Sequence, residues 1–170
     1  MNCKKIKDNI AKTKEELSQG CELIVVSKYR AIDEIACAYE AGQRVFAENR
    51  VQALLERKEN LPQDIEWHII GHLQRNKVKY IAPFISMIHS VDSHKLLKEI
   101  NKHAKEHNRI IYCLLQIHIA QEDTKFGFSP DEVLSFVENE NLQELENIQL
   151  NGLMAMASNT DNKEQIANEF

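Results

Sequence analysis

The lysine that follows the first apolar run is the residue of this sequence with the clearest chemical potential. The run LIVVS (residues 23–27) leads directly into Lys28, and strand alternation places Ile24, Val26 and Lys28 on one face. The carboxyl ends of strands build the active site of a parallel barrel, and partial desolvation there favours a neutral, nucleophilic amine. Such an amine forms an imine with an aldehyde. Position alone is equally consistent with a lysine that marks where the strand reaches solvent.

Asparagine and histidine lie at the ends of the second and third apolar runs. Asn49 directly precedes a helical pattern, so it either caps that helix or donates to a ligand, and capping is the favoured interpretation. His68 lies inside the third run, where a lone histidine is more often a hydrogen-bonded core group than a ligand. His72, Gln74 and residues 75–79 (RNKVK) could donate to an anion, although such a stretch is more typical of a solvated helix face.

The fifth and sixth runs offer fewer candidates. Lys125, in the loop after the fifth run, is a second lysine, and a flexible, charged loop residue is its favoured interpretation. The sixth run ends in GLMAMAS, where we expect Gly152 to allow close packing. Met154 and Met156 are expected in the core, and Ser158 at the rim of the sheet.

Short apolar runs alternate with longer amphipathic stretches, and this alternation is the strongest architectural signal in the sequence. A helical pattern comes first, and strand and helix patterns then follow in turn. The predicted strands cover residues 23–27, 44–48, 66–71, 87–91, 110–119 and 148–157. The later predicted helices cover residues 32–39, 50–59, 74–81 and 93–107, and one more begins with the capping sequence Ser129-Pro130-Asp131-Glu132. Each run is apolar enough to form a nearly buried parallel strand.

Repeated strand and helix units imply right-handed crossovers and a parallel sheet, either open or closed as a barrel. The chain has 5 glycines and no G-x-G-x-x-G after the first strand, so a dinucleotide-binding open sheet is not indicated. We therefore predict an α/β fold of the (β/α) TIM-barrel type, as a single domain over residues 1–170. Because six strands do not close an eight-stranded barrel, we expect that about two C-terminal βα units are missing.

Composition excludes several classes of protein. The formal net charge is -5 and the basic residues are scattered among acidic ones, so we expect no nucleic-acid partner. The N-terminus lacks a signal-peptide pattern and no apolar run is long enough for a membrane span, so we expect a cytoplasmic protein that does not contact membranes. Neither a P-loop nor a G-x-S-x-G motif is present.

The four cysteines are widely spaced, at Cys3, Cys21, Cys37 and Cys113. They form no C-x-x-C pair, and no histidine lies near them at zinc-ligand spacing. We therefore predict reduced, mostly buried thiols and no metal site.

The successive runs together resemble the strand motifs of the pyridoxal 5′-phosphate (PLP) homeostasis proteins, which are single-domain relatives of the alanine racemase barrel. The motifs are LIVVSK, VFAENRVQ, IEWHIIGHLQRNKVK, IHSVDS, LLQIHIAQEDTKFGF and GLMAMAS, in this order over nearly the whole chain. The resemblance implies PLP as the cofactor and Lys28 as the residue that holds it as a Schiff base. It also implies that Asn49 lies beside the cofactor and that Met154 and Ser158 lie on a strand flanking the ring.

The resemblance further implies a protein that binds, buffers or delivers PLP, possesses no established catalytic activity, and serves PLP-dependent apo-enzymes as a monomer or weak dimer. Two departures from the family pattern are present. Ala47 stands where the family usually has glycine, and the sequence ends before the family's last two strands. In relatives, those strands supply the groups that hold the phosphate and an arginine that faces the pyridine nitrogen.

Two enzymatic alternatives remain open. A PLP-dependent amino-acid racemase or lyase needs an acid or base on the opposite face of the ring, and none of the tyrosines suits that role convincingly. Those tyrosines are Tyr29, Tyr39, Tyr80 and Tyr112. A cofactor-free aldolase would form an imine between a barrel lysine and a carbonyl substrate, usually from a later strand.

Overall fold

Six strands form one parallel sheet in the computed structural model of the chain, which describes residues 2–120, 126–139 and 144–170. Their spatial order follows the sequence, and every neighbouring pair is parallel. This arrangement is that of a (β/α) barrel, with β1 and β6 as the two edges of the sheet. The strands are β1 (Val25–Val26), β2 (Val45–Glu48), β3 (Glu66–Ile69), β4 (Met87–Val91), β5 (Ile111–Ile117) and β6 (Ile148–Ala155).

Helices connect the strands, as the sequence predicts, and polar side chains begin several of them. The hydroxyl of Ser93 accepts from the Leu96 N–H at 3.3 Å, and Ser129 and Glu132 form the predicted capping box. None of the described helices is long and apolar enough to cross a membrane. The helices are α1 (Cys3–Glu16), α2 (Ile32–Glu40), α3 (Val51–Asn60), α4 (Val78–Ile81), α5 (His94–Glu106), α6 (Pro130–Asn139) and α7 (Lys163–Glu169), and a 3₁₀ turn (Arg75–Lys77) precedes α4.

One face of the sheet is covered by the helices. Large apolar side chains of alternate strand positions are fully buried there, and they form one cluster with residues of the helices. Removing these side chains from water is the main stabilising contribution of the fold. The strand residues are Phe46, Trp67, Ile88 and Cys113, and their helical neighbours in the cluster include Leu54, Leu97 and Ile100.

The opposite face is the interior face of the barrel. In register, it carries Val26, Ala47, His68, Met87 and Tyr112 from five successive strands. Ala47 of β2 is fully buried, whereas Val26 of the edge strand β1 is 42% exposed and Tyr112 of β5 is 41% exposed. The prediction of nearly buried strands is therefore confirmed for β2 and wrong for β1 and β6, because an edge strand has a neighbour on only one side.

The prediction that the cysteines are reduced is wrong for two of them, and the prediction that they are mostly buried is wrong for Cys21. Cys3 of α1 and Cys37 of α2 form a disulfide that joins the two helices, and Cys21 is exposed. Cys113 is a buried free thiol, and its burial raises its pKa to about 12. The disulfide was not predictable because it depends on how α1 and α2 pack together.

Candidate functional site

Lys28 lies in a tight turn at the carboxyl edge of the sheet, two residues beyond β1. The Arg30 N–H donates to the Ser27 carbonyl at 3.1 Å, so Lys28 and Tyr29 occupy the two central positions of the turn. The Lys28 side chain is exposed, and no other residue in the described parts of the chain forms a hydrogen bond or ion pair with its amine. The amine is therefore accessible to a carbonyl ligand.

Asn49 lies beside this turn, one residue beyond the end of the neighbouring strand β2. Val26 and Ala47 are paired in register, and Lys28 and Asn49 each follow two residues later. Asn49 is half-buried and does not cap α3, because Arg50 is the N-cap residue and makes no side-chain capping bond. The capping interpretation of Asn49 is therefore wrong, and its amide stays available for a ligand.

Gly71, in the loop after β3, fixes the position of the Asn49 backbone. A Cβ atom at Gly71 would lie 2.3 Å from the Asn49 carbonyl oxygen, far inside van der Waals contact. Only glycine allows these two loops to approach so closely.

Met154 and Ser158 lie on and after β6, at the sheet edge opposite β1. Met154 is half-buried and pairs in register with Gln116 of β5. Ser158 is half-buried, and its N–H donates to Glu169 Oε2 at 2.6 Å. The sheet therefore places Lys28 and Asn49 together, whereas Met154 lies on β6, the strand farthest from them in the hydrogen-bonding order, and Ser158 lies just after it.

Three other predictions concern β6 and the loop before α6. Met156 is 49% exposed, so its placement in the core is wrong. Gly152 does not permit close packing, since a Cβ atom there would make only an ordinary 3.9 Å contact with Leu114. Glycine suits this position because its φ is 143°, which other residues rarely adopt. Lys125 lies outside the described residues.

A buried ionic cluster lies directly beneath the Lys28 turn, and the sequence did not predict it. Glu48 Oε1 accepts a 2.6 Å hydrogen bond from the Ser27 hydroxyl and lies 2.9 Å from Arg57 Nε. The Arg57–Glu48 contact is an ion pair without an aligned hydrogen bond, and Glu48 Oε2 has no hydrogen-bond partner in the structure. One signal was available in the sequence: Arg57 lies three residues after Leu54, on the buried face of α3.

Two histidines occupy the interior face of the sheet. His68 of β3 and His89 of β4 are buried, and His89 Nε2 lies 3.0 Å from His68 Nδ1. Burial, with a smaller contribution from His89, lowers the pKa of His68 to about 4, and burial also lowers the pKa of His89. Both rings are therefore neutral at pH 7, and the core interpretation of His68 is confirmed. No cluster of metal-ligating side chains occurs in the parts of the chain that the structure describes.

A cavity of about 490 Å³ opens next to Asn49. Among the described residues no carboxylate lines it; Asp92, which pairs with His72 through a 2.8 Å Nδ1–Oδ2 contact, is not one of the lining residues. Of the residues predicted to be possible anion donors, His72, Gln74 and Lys77 line this cavity, while the exposed positions of residues 75–77 also agree with a solvated surface. The lining includes Asn49, Arg50, Gln52, His72, Gln74, Lys77 and Tyr80.

The chain matches known proteins over nearly its whole length. The family model described as "Alanine racemase, N-terminal domain" matches residues 1–170. The pyridoxal phosphate homeostasis protein of Pasteurella multocida is 33% identical over an aligned length of 168 residues, and the match covers 94% of this chain and 70% of the relative. That of Aquifex aeolicus is 34% identical over an aligned length of 174 residues, and the match covers 96% of this chain and 75% of the relative.

Solved structures give the same result. PipY of Synechococcus elongatus PCC7942, with PLP bound, matches with a TM-score of 0.81 and 30% identity, covering 96% of this chain and 81% of PipY. Alanine racemase of Clostridium difficile 630 matches with a TM-score of 0.74 and 17% identity, covering 96% of this chain and 43% of the racemase, which shows the shared barrel fold. The chain therefore belongs to the alanine racemase N-terminal domain family, among the pyridoxal phosphate homeostasis proteins.

Proposed function

We propose that this protein binds PLP through a Schiff base at Lys28 and takes part in PLP homeostasis by holding, buffering or delivering the cofactor. The observation that carries the proposal is the accessible Lys28 amine at the carboxyl edge of a racemase-type sheet. The PLP-bound structure of PipY supports the choice of ligand. In parallel barrels this edge is where ligands and active sites lie.

The residues present fit the aldehyde end of PLP. An imine requires an amine that is not held in an ion pair, and the Lys28 amine meets this requirement. Asn49 offers a half-buried amide on the adjacent strand for a polar group of the ring. We propose that Met154 and Ser158 contact the ring from the opposite edge of the barrel. When bound, PLP supplies an electrophilic aldehyde carbon and an electron-accepting ring.

Binding without catalysis is favoured over a racemase or lyase activity. Proton transfer at a substrate needs an acid or base on the ring face opposite the lysine. Tyr29 shares the turn with Lys28 and is 81% exposed, and Tyr39 and Tyr80 lie on helices α2 and α4. Tyr112 lies on the interior face of β5, but it is the second residue of that strand and lies near its amino end, whereas Lys28 follows the carboxyl end of β1. A cofactor-free aldolase is less favoured because a relative of the same family contains PLP.

The location, oligomeric state and partners of the protein are part of the proposal. We propose that the chain acts in the cytoplasm as a monomer or weak dimer, and that residues 1–170 belong to a single PLP-binding domain. PLP-dependent apo-enzymes are the proposed recipients of the cofactor. The overall charge of -5 supports a partner other than nucleic acid.

Absorbance spectroscopy tests the proposal. Titration of the purified protein with PLP should produce the visible band of a Schiff base, and Lys28→Ala should abolish it. Lys12→Ala, at an exposed position on α1, is the matched control and should keep the band. A band that survives unchanged in Lys28→Ala would show that another lysine carries PLP, with Lys125 the first candidate.

Deuterium exchange tests the absence of catalysis. The PLP-loaded protein is incubated with L-alanine in heavy water, and the α-carbon is followed by NMR. We expect no solvent deuterium at this carbon. Its appearance, at a rate above that of free PLP, would replace the carrier function with the racemase or lyase alternative.

A further inference from the structure

The turn that carries Lys28 has a backbone conformation that its residue types do not favour. Tyr29 has a φ of 63°, in the left-handed region that disfavours bulky side chains. Asn108 also has a positive φ, 51°, but it follows α5 at a position where asparagine commonly ends a helix. Tyr29 has no such local reason, so contacts from elsewhere must hold its turn in place.

Arg57 supplies those contacts from α3. Its Nη2 lies 3.0 Å from the Arg30 carbonyl and 3.4 Å from the Ser27 carbonyl, the two main-chain oxygens that flank Lys28 and Tyr29. Its Nη1 donates to the Ala53 carbonyl at 3.1 Å, which fixes the guanidinium to its own helix. One planar side chain therefore ties both ends of the Lys28 turn to α3.

Glu48 in turn holds both Arg57 and Ser27. Its carboxylate lies between the Arg57 Nε and the Ser27 hydroxyl, and the Ser27 N–H also donates to the Ala47 carbonyl at 2.9 Å. The Glu48 and Arg57 side chains are only 1% and 10% exposed. Burying an ion pair requires its desolvation, and apolar residues of similar volume often stabilise a fold as well or better. Stability alone therefore does not account for this pair.

We infer that Arg57 and Glu48 are positioning residues for Lys28, which hold its turn in the one conformation that presents the amine at the carboxyl edge of the sheet. The inference rests on the proposed PLP function. Without Arg57 the turn has several accessible conformations. The apparent affinity for PLP then falls in proportion to the fraction of molecules whose turn keeps the conformation that binds PLP. We expect a loss of roughly tenfold.

Arg57→Gln is the primary test, with two companions. Glutamine leaves Glu48 buried without a counter-charge, so the double variant Glu48→Gln/Arg57→Gln provides a neutral pair if the single variant does not fold. Arg57→Lys keeps the charge against Glu48 but loses the guanidinium bonds to the Ser27 and Arg30 carbonyls, so it should keep most of the stability without restoring the affinity. Arg44→Gln is the matched control, since Arg44 also binds two main-chain carbonyls and a carboxylate, but at the amino end of β2.

Two readouts separate this inference from the proposed function. PLP affinity is measured from the Schiff-base band, and hydrogen exchange of the Arg30 amide is measured by mass spectrometry without PLP. Arg57→Gln and the double variant should bind PLP roughly tenfold more weakly and exchange this amide at least roughly tenfold faster. Arg44→Gln should change neither value.

The possible outcomes are distinct. Wild-type affinity and wild-type exchange in the double variant would overturn the inference, while loss of the band in Lys28→Ala would still support PLP binding. Faster exchange with unchanged affinity would also overturn it, because the turn would then be ordered by Arg57 without effect on Lys28. If Lys28→Ala keeps the band, the proposed function fails, and the positioning role toward PLP fails with it.

Discussion

Two arginine clusters lie at opposite ends of β2 and use the same chemistry. Arg44, just before the strand, donates through Nη1 to the carbonyls of Tyr39 and Gln43 at 2.9 and 3.0 Å. Its Nε lies 3.1 Å from Asp64 Oδ2. The two charged side chains are 42% and 57% exposed, so water screens the pair and stabilises each partner separately.

Arg57 makes the same kinds of contact at the carboxyl end of β2, but there the pair is shielded from water. Its partner Glu48 is the last residue of the strand, and the turn held by the cluster carries Lys28. Burial, rather than the number of contacts, therefore distinguishes the two clusters. The buried cluster lies at the edge where barrels place their ligands, and the exposed one lies at the edge associated with stability.

The largest expected effect is on the free energy of unfolding. Arg57→Gln leaves a buried carboxylate without its counter-charge and should lower this free energy by roughly 3–5 kcal/mol. Arg44→Gln removes an exposed pair and should lower it by at most about 1 kcal/mol. Urea denaturation of both variants measures the difference. Equal losses would show that the two clusters are energetically alike and that burial is not the distinguishing property.

The buried His68 should make the stability of the protein depend on pH. Its folded-state pKa is about 4, below the ordinary 6.5, so its neutral form stabilises the fold fully above pH 6.5. As pH falls from 6.5 toward 4, the unfolded chain takes up a proton that the folded chain does not, and stability falls. The loss should be on the order of 3 kcal/mol.

His68→Gln should flatten this part of the stability curve, and His107→Gln, at an exposed position after α5, should not. Urea midpoints at several pH values from 7 down to about 4 provide the measurement. A wild-type slope in His68→Gln would mean that His68 is not the group responsible.

Substitution of two glycines should have smaller effects on stability, and the two substitutions should differ in their effect on PLP binding. At Gly71→Ala the new Cβ meets the Asn49 carbonyl, so the loops must separate, at a loss of about 1–3 kcal/mol. Gly42→Ala, after α2, has open space but a φ of +83°, and should lose about 1 kcal/mol. Only Gly71→Ala should also weaken PLP binding, because only it moves Asn49. Denaturation together with PLP titration tests this, and equal PLP affinities in the two variants would remove Asn49 from the proposed site.

Local sequence pattern predicted the elements well and their edges less well. The predicted fourth strand has the same bounds as β4, Met87–Val91, because β4 lies between two neighbouring strands and is buried along nearly its whole length. The first strand shortens from residues 23–27 to Val25–Val26, because it pairs with β2 alone. The spacing of apolar residues thus predicts that a strand is present, whereas the strands beside it determine how long it is.

The sequence predicted a site residue only where the type and position of that one residue were sufficient to identify it. Lys28 follows an apolar strand, so its type and place were sufficient to single it out. Arg57 reaches the Ser27 carbonyl from 30 residues away, and no local pattern indicates such a contact. The Cys3–Cys37 disulfide, with a sequence separation of 34, was missed for the same reason.

The most direct test of the central claim is to locate the bound cofactor chemically. The protein is incubated with PLP, the Schiff base is reduced with borohydride, and the digested peptides are examined by mass spectrometry. We predict that the pyridoxyl phosphate group is found on Lys28 and that Lys28→Ala loses this labelling. Labelling of Lys125 or of many lysines, with no change in Lys28→Ala, would contradict the claim that Lys28 holds PLP.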